Sequence, residues 1–418
     1  MFNDRLDQAI ARLNRGESHA ALLLLDVDRF RSVNESLEHQ VGDQLLVAIA
    51  SRLEAVSRAD ATVARIGGDE FVVLAEGLSG PAEVDRIGRR LLDALRKPYP
   101  LSPADPVTAT VSIGIAIAST PDRSPGEVYR EADLALDRAK EGGGDQYALF
   151  DEELRAGVVA RAAAEQLLRR ATADDLVVAH YQPVIGLAHG DLVGVEALAR
   201  VGDPVRGVVP PDEFIEVAGE SALIVDVDLR MFELAVGDLA RWRRGGLERV
   251  GQLAVNMSAR TLADPGSVAR LVAVLNWYGV APGDIRIELT ERSLLDATQT
   301  VHDSLARLNE LGIHLGLDDF GTGYSSLTYL QKLPIRFLKI DRRVVAALGA
   351  GGRHDAVVRA TVDLAHAHDL AVVAEGVETA GQLAAVRAIG CDEAQGFLLS
   401  PPLERDAVEG LAQDGQHW

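Results

Sequence analysis

The feature that most limits what this chain can become lies in its second half, where short apolar runs recur with helical stretches between most of them. The runs are Val177–Ile185, Leu192–Leu198, Gln252–Met257, Ile285–Leu289, His314–Leu317, Phe337–Ile340, Ala371–Val373 and Ala394–Leu398. Each is strand-sized. About eight strand–helix units in roughly 250 residues is the count of a closed β/α barrel. Such strands are buried, so their apolar residues need no functional explanation, whereas polar residues inside or just after them do.

The first half follows another rhythm. Ala20–Leu25, Val63–Ile66, Phe71–Leu74 and Val107–Ala118 read as strands, and Val41–Ser57, Ala82–Leu95 and Val128–Lys140 as helices. Gly67-Gly68 falls between two strands, which predicts a hairpin turn. Asp151–Ala173 is rich in Ala, Arg and Glu and predicts a connecting helix. The expected organisation is therefore a domain over 1–150, a connecting helix over 151–173 and a barrel domain over 174–418.

Composition narrows the chemistry. A single cysteine, Cys391, excludes an internal disulfide and a cysteine-cluster metal site. It also fits a reducing compartment, so the expected location is the cytoplasm. A net charge of −21 argues against broad contact with nucleic-acid polymers or anionic lipid. No apolar run reaches the roughly 18–20 residues that span a bilayer. An acidic chain can still take a phosphorylated ligand if divalent cations stand between them.

The polar residues of the second half fall at the strand ends. Glu196, Asn256, Glu288, Asp318 with Asp319, Lys339, Glu375 and Gln395 each lie in or just after a different run. Buried carboxylates repel one another and lose hydration, so this set requires positive charge nearby. Oxygen donors without sulfur favour hard ions, Mg²⁺ or Mn²⁺. Two adjacent aspartates suit a pair of ions that activates water and stabilises the leaving oxygen of a phosphodiester. Lys339 suits the positioning of that water or the balance of charge. Any one such acid is ordinarily a cap or an ion-pair partner, but barrel enzymes place their active sites at these strand ends.

With those residues in view, the second half resembles the EAL family of cyclic di-GMP phosphodiesterases, from Tyr181-Gln182-Pro183 to Pro401-Pro402. Glu196-Ala197-Leu198 is the name motif, and Asp318-Asp319-Phe320-Gly321-Thr322-Gly323-Tyr324-Ser325-Ser326 and Ala374-Glu375-Gly376-Val377-Glu378-Thr379 are two more. The resemblance implies a TIM-like barrel that hydrolyses cyclic di-GMP to linear pGpG with two Mg²⁺ or Mn²⁺ ions. It implies that Glu196, Asn256, Glu288 and Asp318 hold one ion, and that Asp318 and Asp319 serve the second. Lys339 and Glu375 would orient and deprotonate the attacking water, with Gln395 in support. Gln182 and Arg200 would contact the ligand, and Glu291 would steady the loop after Asp319. Three departures stand out: Ala199-Arg200-Val201 replaces Leu-Arg-Trp, Ala218–Ala222 reads Ala-Gly-Glu-Ser-Ala, and Arg336 replaces an aspartate.

The first half resembles the GGDEF family of diguanylate cyclases, with Gly67-Gly68-Asp69-Glu70-Phe71 intact and Asp26 opening Asp-Val-Asp-Arg-Phe. This implies a palm-type, nucleotidyl-cyclase-like α+β domain that joins two GTP into cyclic di-GMP. Asp26 and Asp69 would bind Mg²⁺ with GTP, and Glu70 would assist deprotonation of the 3′-hydroxyl. Gly67 and Gly68 would let the backbone approach phosphate, Asn34 and Asp43 would read guanine, and Lys140 would touch the phosphates. Gly144 stands where the family has an arginine, Glu38 replaces a glycine, and Arg58-Ala59-Asp60-Ala61 shifts the acid of the family's product-inhibition motif by one position. The chain also begins where that family's first conserved segment ends, so a longer parent protein, with any membrane tether in the missing part, is expected.

Three readings stay open on sequence. The chain is a bifunctional enzyme in which hydrolysis dominates, a phosphodiesterase with a regulatory GTP-binding domain, or a receptor without catalysis. A homodimer is expected from the resemblance. His366-Ala367-His368 ends a helix and is not read as a metal motif. Cys391 reads as a packing residue, and Trp242 and Trp277 as core or interface.

Overall fold

The computed structural model describes residues 2–13, 18–31, 34, 39–101, 106–247, 250–295, 297–321, 333–349, 353–414 and 418. Glu38 and the Thr322–Ser326 part of the long motif lie outside the described residues. The chain divides into two units, Met1–Val159 and Ala160–Trp418, with the division inside a helix over Glu152–Ala173.

In the first unit, β1 (His19–Val27) is the centre of the sheet β2-β3-β1-β4-β5, where β2 is Thr62–Gly67, β3 Glu70–Leu78, β4 Val111–Ala118 and β5 Tyr147–Leu149. Its run of apolar residues is explained by burial on both faces. Ala21, Leu23 and Leu25 pack with Leu45, Ile49 and Leu53 of the helix His39–Val56 and Leu91 of Pro81–Leu95. Leu22 and Leu24 pack on the other side with Leu6 and Ile10 of Phe2–Ala11 and Val128 and Ala132 of Pro125–Glu141. That last helix approaches closely enough that a Cβ on Gly114 would lie 2.0 Å from the Ala132 carbonyl oxygen. The expected strand from Val107 is shorter, starting at Val111; Val107 makes an isolated bridge with Tyr99 instead.

The second unit holds β6 (Val177–Gly186), β7 (Asp191–Asp203), β8 (Gly207–Val209), β9 (Gln252–Asn256), β10 (Ile285–Thr290), β11 (His314–Phe320), β12 (Ile335–Ile340), β13 (Ala371–Ala374) and β14 (Glu393–Ala394). The sheet closes because β6 pairs with both β14 and β7, leaving β8 as a short extension of β7. β6 runs antiparallel to both neighbours, while β7 and β9–β14 are mutually parallel. The regular strand–helix rhythm predicted in sequence therefore fails at its first step, where β6 and β7 form a hairpin. The last predicted strand is also cut short: Ala394–Leu398 contributes only Ala394, and the rest turns across the strand ends.

Alternation along the strands sorts the barrel interior into layers. On β10, Ile285, Ile287 and Leu289 face the helices, leaving Arg286 and Glu288 for the inside. At the N-terminal ends, Arg286 donates to both oxygens of Glu393 at 2.5 and 2.7 Å and to Gln252, whose amide reaches His314. Val184, Phe337 and Val373 form an apolar middle layer. The predicted helix over Asp151–Ala173 is present as Glu152–Ala173. Trp242 is fully buried, but Trp277 is 83% exposed and is not a core residue. His366 Nε2 donates to Asp392 Oδ2 at 2.9 Å, and Cys391 is buried with its thiol pushed up to about 12 by desolvation.

Candidate active site

Two residues beyond the apolar layer, the same alternation aims the polar strand-end residues inward. Glu288 lies two after Arg286, Lys339 two after Phe337 and Glu375 two after Val373. Gln182 lies two before Val184, which reaches the same end because β6 runs the opposite way. Lys339 is the hub. Its Nζ lies 2.6 Å from Glu375 Oε1, 2.7 Å from Glu288 Oε2, 3.0 Å from Glu196 Oε2 and 3.7 Å from Asp318 Oδ1. Asn256 Nδ2 donates to Glu196 Oε1 at 2.7 Å, and Gln395 Nε2 donates to Glu196 Oε2 at 2.6 Å and Glu375 Oε1 at 3.3 Å.

Burial and crowding dominate the electrostatics. Glu288 is raised well above its ordinary range by desolvation, with Glu196 and Asp318 adding to it against Lys339. Desolvation lifts Glu375 to about 8 despite Lys339, and lifts Asp319, beside Asp318 and Asp341, to about 6. Asp318 is raised for the same reason. Glu196 goes the other way: burial would raise it, but Lys339 and the hydrogen bonds from Gln395, Lys339 and Asn256 outweigh that and lower it. Desolvation opposes the Lys339 charge, yet the surrounding carboxylates hold its pKa well above normal.

This cluster fits divalent cations. Asp318, Asp319 and Glu375 each offer an oxygen within 4.8 Å of the others. Gln395 Oε1 is buried with no hydrogen-bond partner among the described residues. One ammonium cannot neutralise four carboxylates, and the donors are all hard oxygens. Asp319 holds φ 57°, a left-handed backbone that a non-glycine residue adopts only when its surroundings impose it. Its N–H donates to Asp318 Oδ1 at 2.8 Å.

The remaining predicted residues lie on strands of the barrel that holds this cluster or directly after them. Gln182 is buried and donates to the Ser400 carbonyl at 3.1 Å. Arg200 is half-buried, its pKa lowered by desolvation against the pull of Asp212. Glu291 is buried at the end of β10 and raised by desolvation, with the Gly321 amide opposing. Asp341 was not singled out in sequence, although it stands two residues after Lys339. It is buried, shares a side-chain hydrogen bond with Asp319, and accepts from the Arg343 amide at 2.8 Å. An acid two residues beyond an inward-facing strand lysine was the available signal.

In the first unit, Asp26 of β1 is paired in register with Glu70 of β3, and the Gly68-Asp69 turn joins β2 to β3 with Gly68 at φ 49°. Lys140 Nζ lies 2.9 Å from Asp26 Oδ2. Burial raises Asp26, Lys140 opposes, and Asp69 and Asp28 add to the rise. Asp26, Asp69, Glu70 and Lys140 are thus gathered at one sheet end, with Gly67 and Gly68 exposed beside them. Asn34 lies against Gly42, where an added Cβ would sit 1.8 Å from its Oδ1, and that oxygen has no partner among the described residues. Asp43 follows Gly42 and is exposed. Asp28, also not singled out, accepts from Ser112 Oγ at 2.6 Å and the Asp145 amide at 2.9 Å.

Comparison with known proteins gives two family matches, the EAL domain over residues 165–402 and the diguanylate cyclase GGDEF domain over residues 1–146. The bifunctional diguanylate cyclase/cyclic di-GMP phosphodiesterase MucR of Pseudomonas aeruginosa is 35% identical over 98% of this chain and 59% of its own length. The cyclic di-GMP phosphodiesterase PdeR of Escherichia coli is 36% identical over 98% of this chain and 61% of its own length. The chain thus spans about half to two thirds of the curated relatives it matches. A solved structure of the PaMucR phosphodiesterase in complex with c-di-GMP matches 59% of this chain and 99% of its own, at 34% identity and TM-score 0.55. The EAL enzyme Bd1971 shares the fold over 96% of both chains, at 23% identity and TM-score 0.58.

Proposed function

The chain belongs to the EAL family and carries a GGDEF domain ahead of that region, and on this premise we propose that its barrel hydrolyses cyclic di-GMP to linear pGpG. The observation that carries the reading is the ring of buried Glu196, Glu288 and Asp318 with the partly buried Glu375 around Lys339 at the C-terminal strand ends. The relatives named above support the substrate.

Glu196, Asn256, Glu288 and Asp318 are the residues that would hold one Mg²⁺ or Mn²⁺ ion, and Asp319 with Asp318 the second. Bound there, the ions would supply the charge that activates a water and stabilises the leaving oxygen. Glu375 would take the proton of that water, its basicity already raised by burial. Lys339 fixes Glu196, Glu288 and Glu375 relative to one another and offsets phosphoryl charge. Gln395 holds Glu196 and Glu375 in orientation through its amide. Gln182 and Arg200, on the open side, would position the dinucleotide.

For the first unit we propose GTP binding at the Asp26, Asp69 and Lys140 end, with cyclase capability resting on Glu70. A second reading, that this domain only binds GTP and regulates the barrel, is favoured by Gly144. It stands where the resembling family has an arginine, and its φ of 74° with an added Cβ only 3.0 Å from Asp28 Oδ1 would strain a side chain there. A homodimer and a cytoplasmic location remain part of the proposal.

The test is chromatographic. The parent with cyclic di-GMP and Mg²⁺ or Mn²⁺ should accumulate pGpG, and Asp318→Ala should not. Intact substrate with either metal would overturn the hydrolase. Incubating Asp318→Ala with GTP separates the two readings of the first unit: new cyclic di-GMP supports a cyclase, and binding without turnover supports a regulator.

A further inference from the structure

The helix Leu223–Arg244 lies against the barrel on a stripe of Ile224, Val227, Met231, Phe232 and Ala235, all buried. Asp228 falls inside that stripe and is itself buried. Helical periodicity calls for an apolar residue there, and a carboxylate is costly to bury. No cation compensates it among the described residues, and desolvation outweighs its hydrogen bonds. What the carboxylate supplies is a pair of short hydrogen bonds to one place in the fold.

Both bonds end on the exit from β9. The Ser258 amide donates to Asp228 Oδ2 at 2.8 Å, and Thr261 Oγ1 donates to the same oxygen at 2.6 Å. Ser258 is the N-cap of the short helix Ala259–Ala263, its Oγ accepting from the Thr261 amide at 3.1 Å. In a capping box the third helical residue is a Glu or Gln that accepts from the cap amide. That residue here is Thr261, and Asp228 accepts from the cap amide in its place. A local box would tie the short helix only to itself, whereas Asp228 ties it to the layer outside the barrel. One residue earlier, the Met257 amide donates to Glu288 O at 2.9 Å. The β9 exit is therefore held from two sides, by the helix Leu223–Arg244 and by β10. Asn256, which donates to Glu196 at 2.7 Å, is the residue immediately before it.

We propose that Asp228 is a positioning residue for Asn256: by fixing the β9 exit it sets where the Asn256 side chain stands beside Glu196. The inference rests on the metal-dependent reading above, in which Asn256 is a ligand. Asp228 meets no reacting group, and its influence reaches the site only through the backbone of Met257 and Ser258. It should therefore show in cation affinity before it shows in turnover. Outer partners that orient a ligand typically carry about 10–100-fold in metal affinity or activity.

The experiment follows Mn²⁺ binding to the full chain without substrate, from the electron paramagnetic resonance signal of free Mn²⁺, together with the thermal midpoint. It compares the parent with Asp228→Ala, Asp228→Asn and Thr261→Val. Asp228→Ala should weaken Mn²⁺ binding about tenfold or more, with kcat at saturating Mn²⁺ within about threefold. Asp228→Asn keeps the acceptor oxygen and should bind Mn²⁺ as the parent does. Thr261→Val removes one bond to the same oxygen but spares the Ser258 amide. It should lower the midpoint and leave Mn²⁺ binding within about twofold, which separates positioning from stability. If alanine impairs folding, Asp228→Val, which suits the apolar stripe, takes its place. Unchanged Mn²⁺ binding in the alanine or valine variant, or an equal loss in Thr261→Val, overturns the role. If the parent binds Mn²⁺ without hydrolysing cyclic di-GMP, the hydrolase reading fails and the binding comparison still decides Asp228. A parent that binds no Mn²⁺ overturns both.

Discussion

Replacing Lys339 by methionine removes the one cation that, among the described residues, lies buried between Glu196, Glu288, Asp318 and Glu375, while keeping most of the side-chain volume. The ammonium is 1% exposed and within 3.0 Å of three of those carboxylates, so solvent cannot take over its role. Deleting one partner of a buried ion pair typically costs about 3–5 kcal/mol, because the other charge is left uncompensated. For a unit of this size that lowers the unfolding midpoint by roughly 6–20 °C. The sign of the pH dependence follows from the same cluster. Without Lys339 the folded-state pKa values of Glu288, Asp318 and Glu375 rise further above their unfolded values, and Glu196 loses the main charge that lowers it. Stability contributed by such raised groups is present at low pH and lost as pH climbs through the folded pKa. Glu375 already sits at about 8 in the parent, so the deficit should be largest above pH 8 and shrink toward pH 5. Mn²⁺ should restore more of the midpoint in the variant than in the parent, by replacing the missing charge. All three tryptophans, Trp242, Trp277 and Trp418, lie in the second unit, so tryptophan fluorescence during thermal unfolding reports on the barrel alone. A variant as stable as the parent at pH 8 in chelator would refute the assignment of Lys339 as the compensating charge.

Other expectations use the same readout or complement it. Asp228 is 7% exposed, raised to about 6 by desolvation, and accepts from the Ser258 amide and Thr261 Oγ1 on a single oxygen. Asp228→Asn keeps that acceptor, so it should stabilise the barrel by up to about 3 kcal/mol at pH 8 and by little near pH 4; a loss at pH 8 would contradict this. Arg286→Met strands Glu393 at the opposite end of the barrel and should cost about 3–5 kcal/mol, whereas Arg286→Met with Glu393→Leu should lose less. Equal losses measured by denaturant titration would sink the ion-pair account. Gly114→Ala drives a methyl into the Ala132–Leu136 backbone and should destabilise the first unit by about 1–3 kcal/mol or more. Circular dichroism should show an earlier transition while the tryptophan signal stays put, and coincident shifts would argue against it.

Much of the barrel was legible because two periodicities do not depend on partners. Strand-sized apolar runs marked β9–β13 to within a few residues, and acids that break such runs marked the site. Other features were not legible for equally physical reasons. The β6–β7 hairpin uses the same apolar alternation as a parallel strand, so the residues cannot declare direction. Ala394–Leu398 is apolar enough for a strand, but Gly396 and the hydrogen bonds to Val377 turn it. Trp277 has the composition of a core residue, yet its helix face meets solvent. Asp341 was passed over because its importance depends on where Asp319 folds.

By itself, the sequence determined which residues could be buried, which strand ends would carry carboxylates, and hence that the site needs compensating positive charge. Those are properties of residue type and spacing, and they survive without coordinates. Only the tertiary structure decided who compensates whom. Lys339 meets Glu196 across 143 residues and Glu288 across 51, because ring closure brings distant strands to one level. Desolvation then sets the pKa order that separates a lowered Glu196 from a raised Glu375. Burial and proximity are properties of the closed barrel, and no local pattern encodes them.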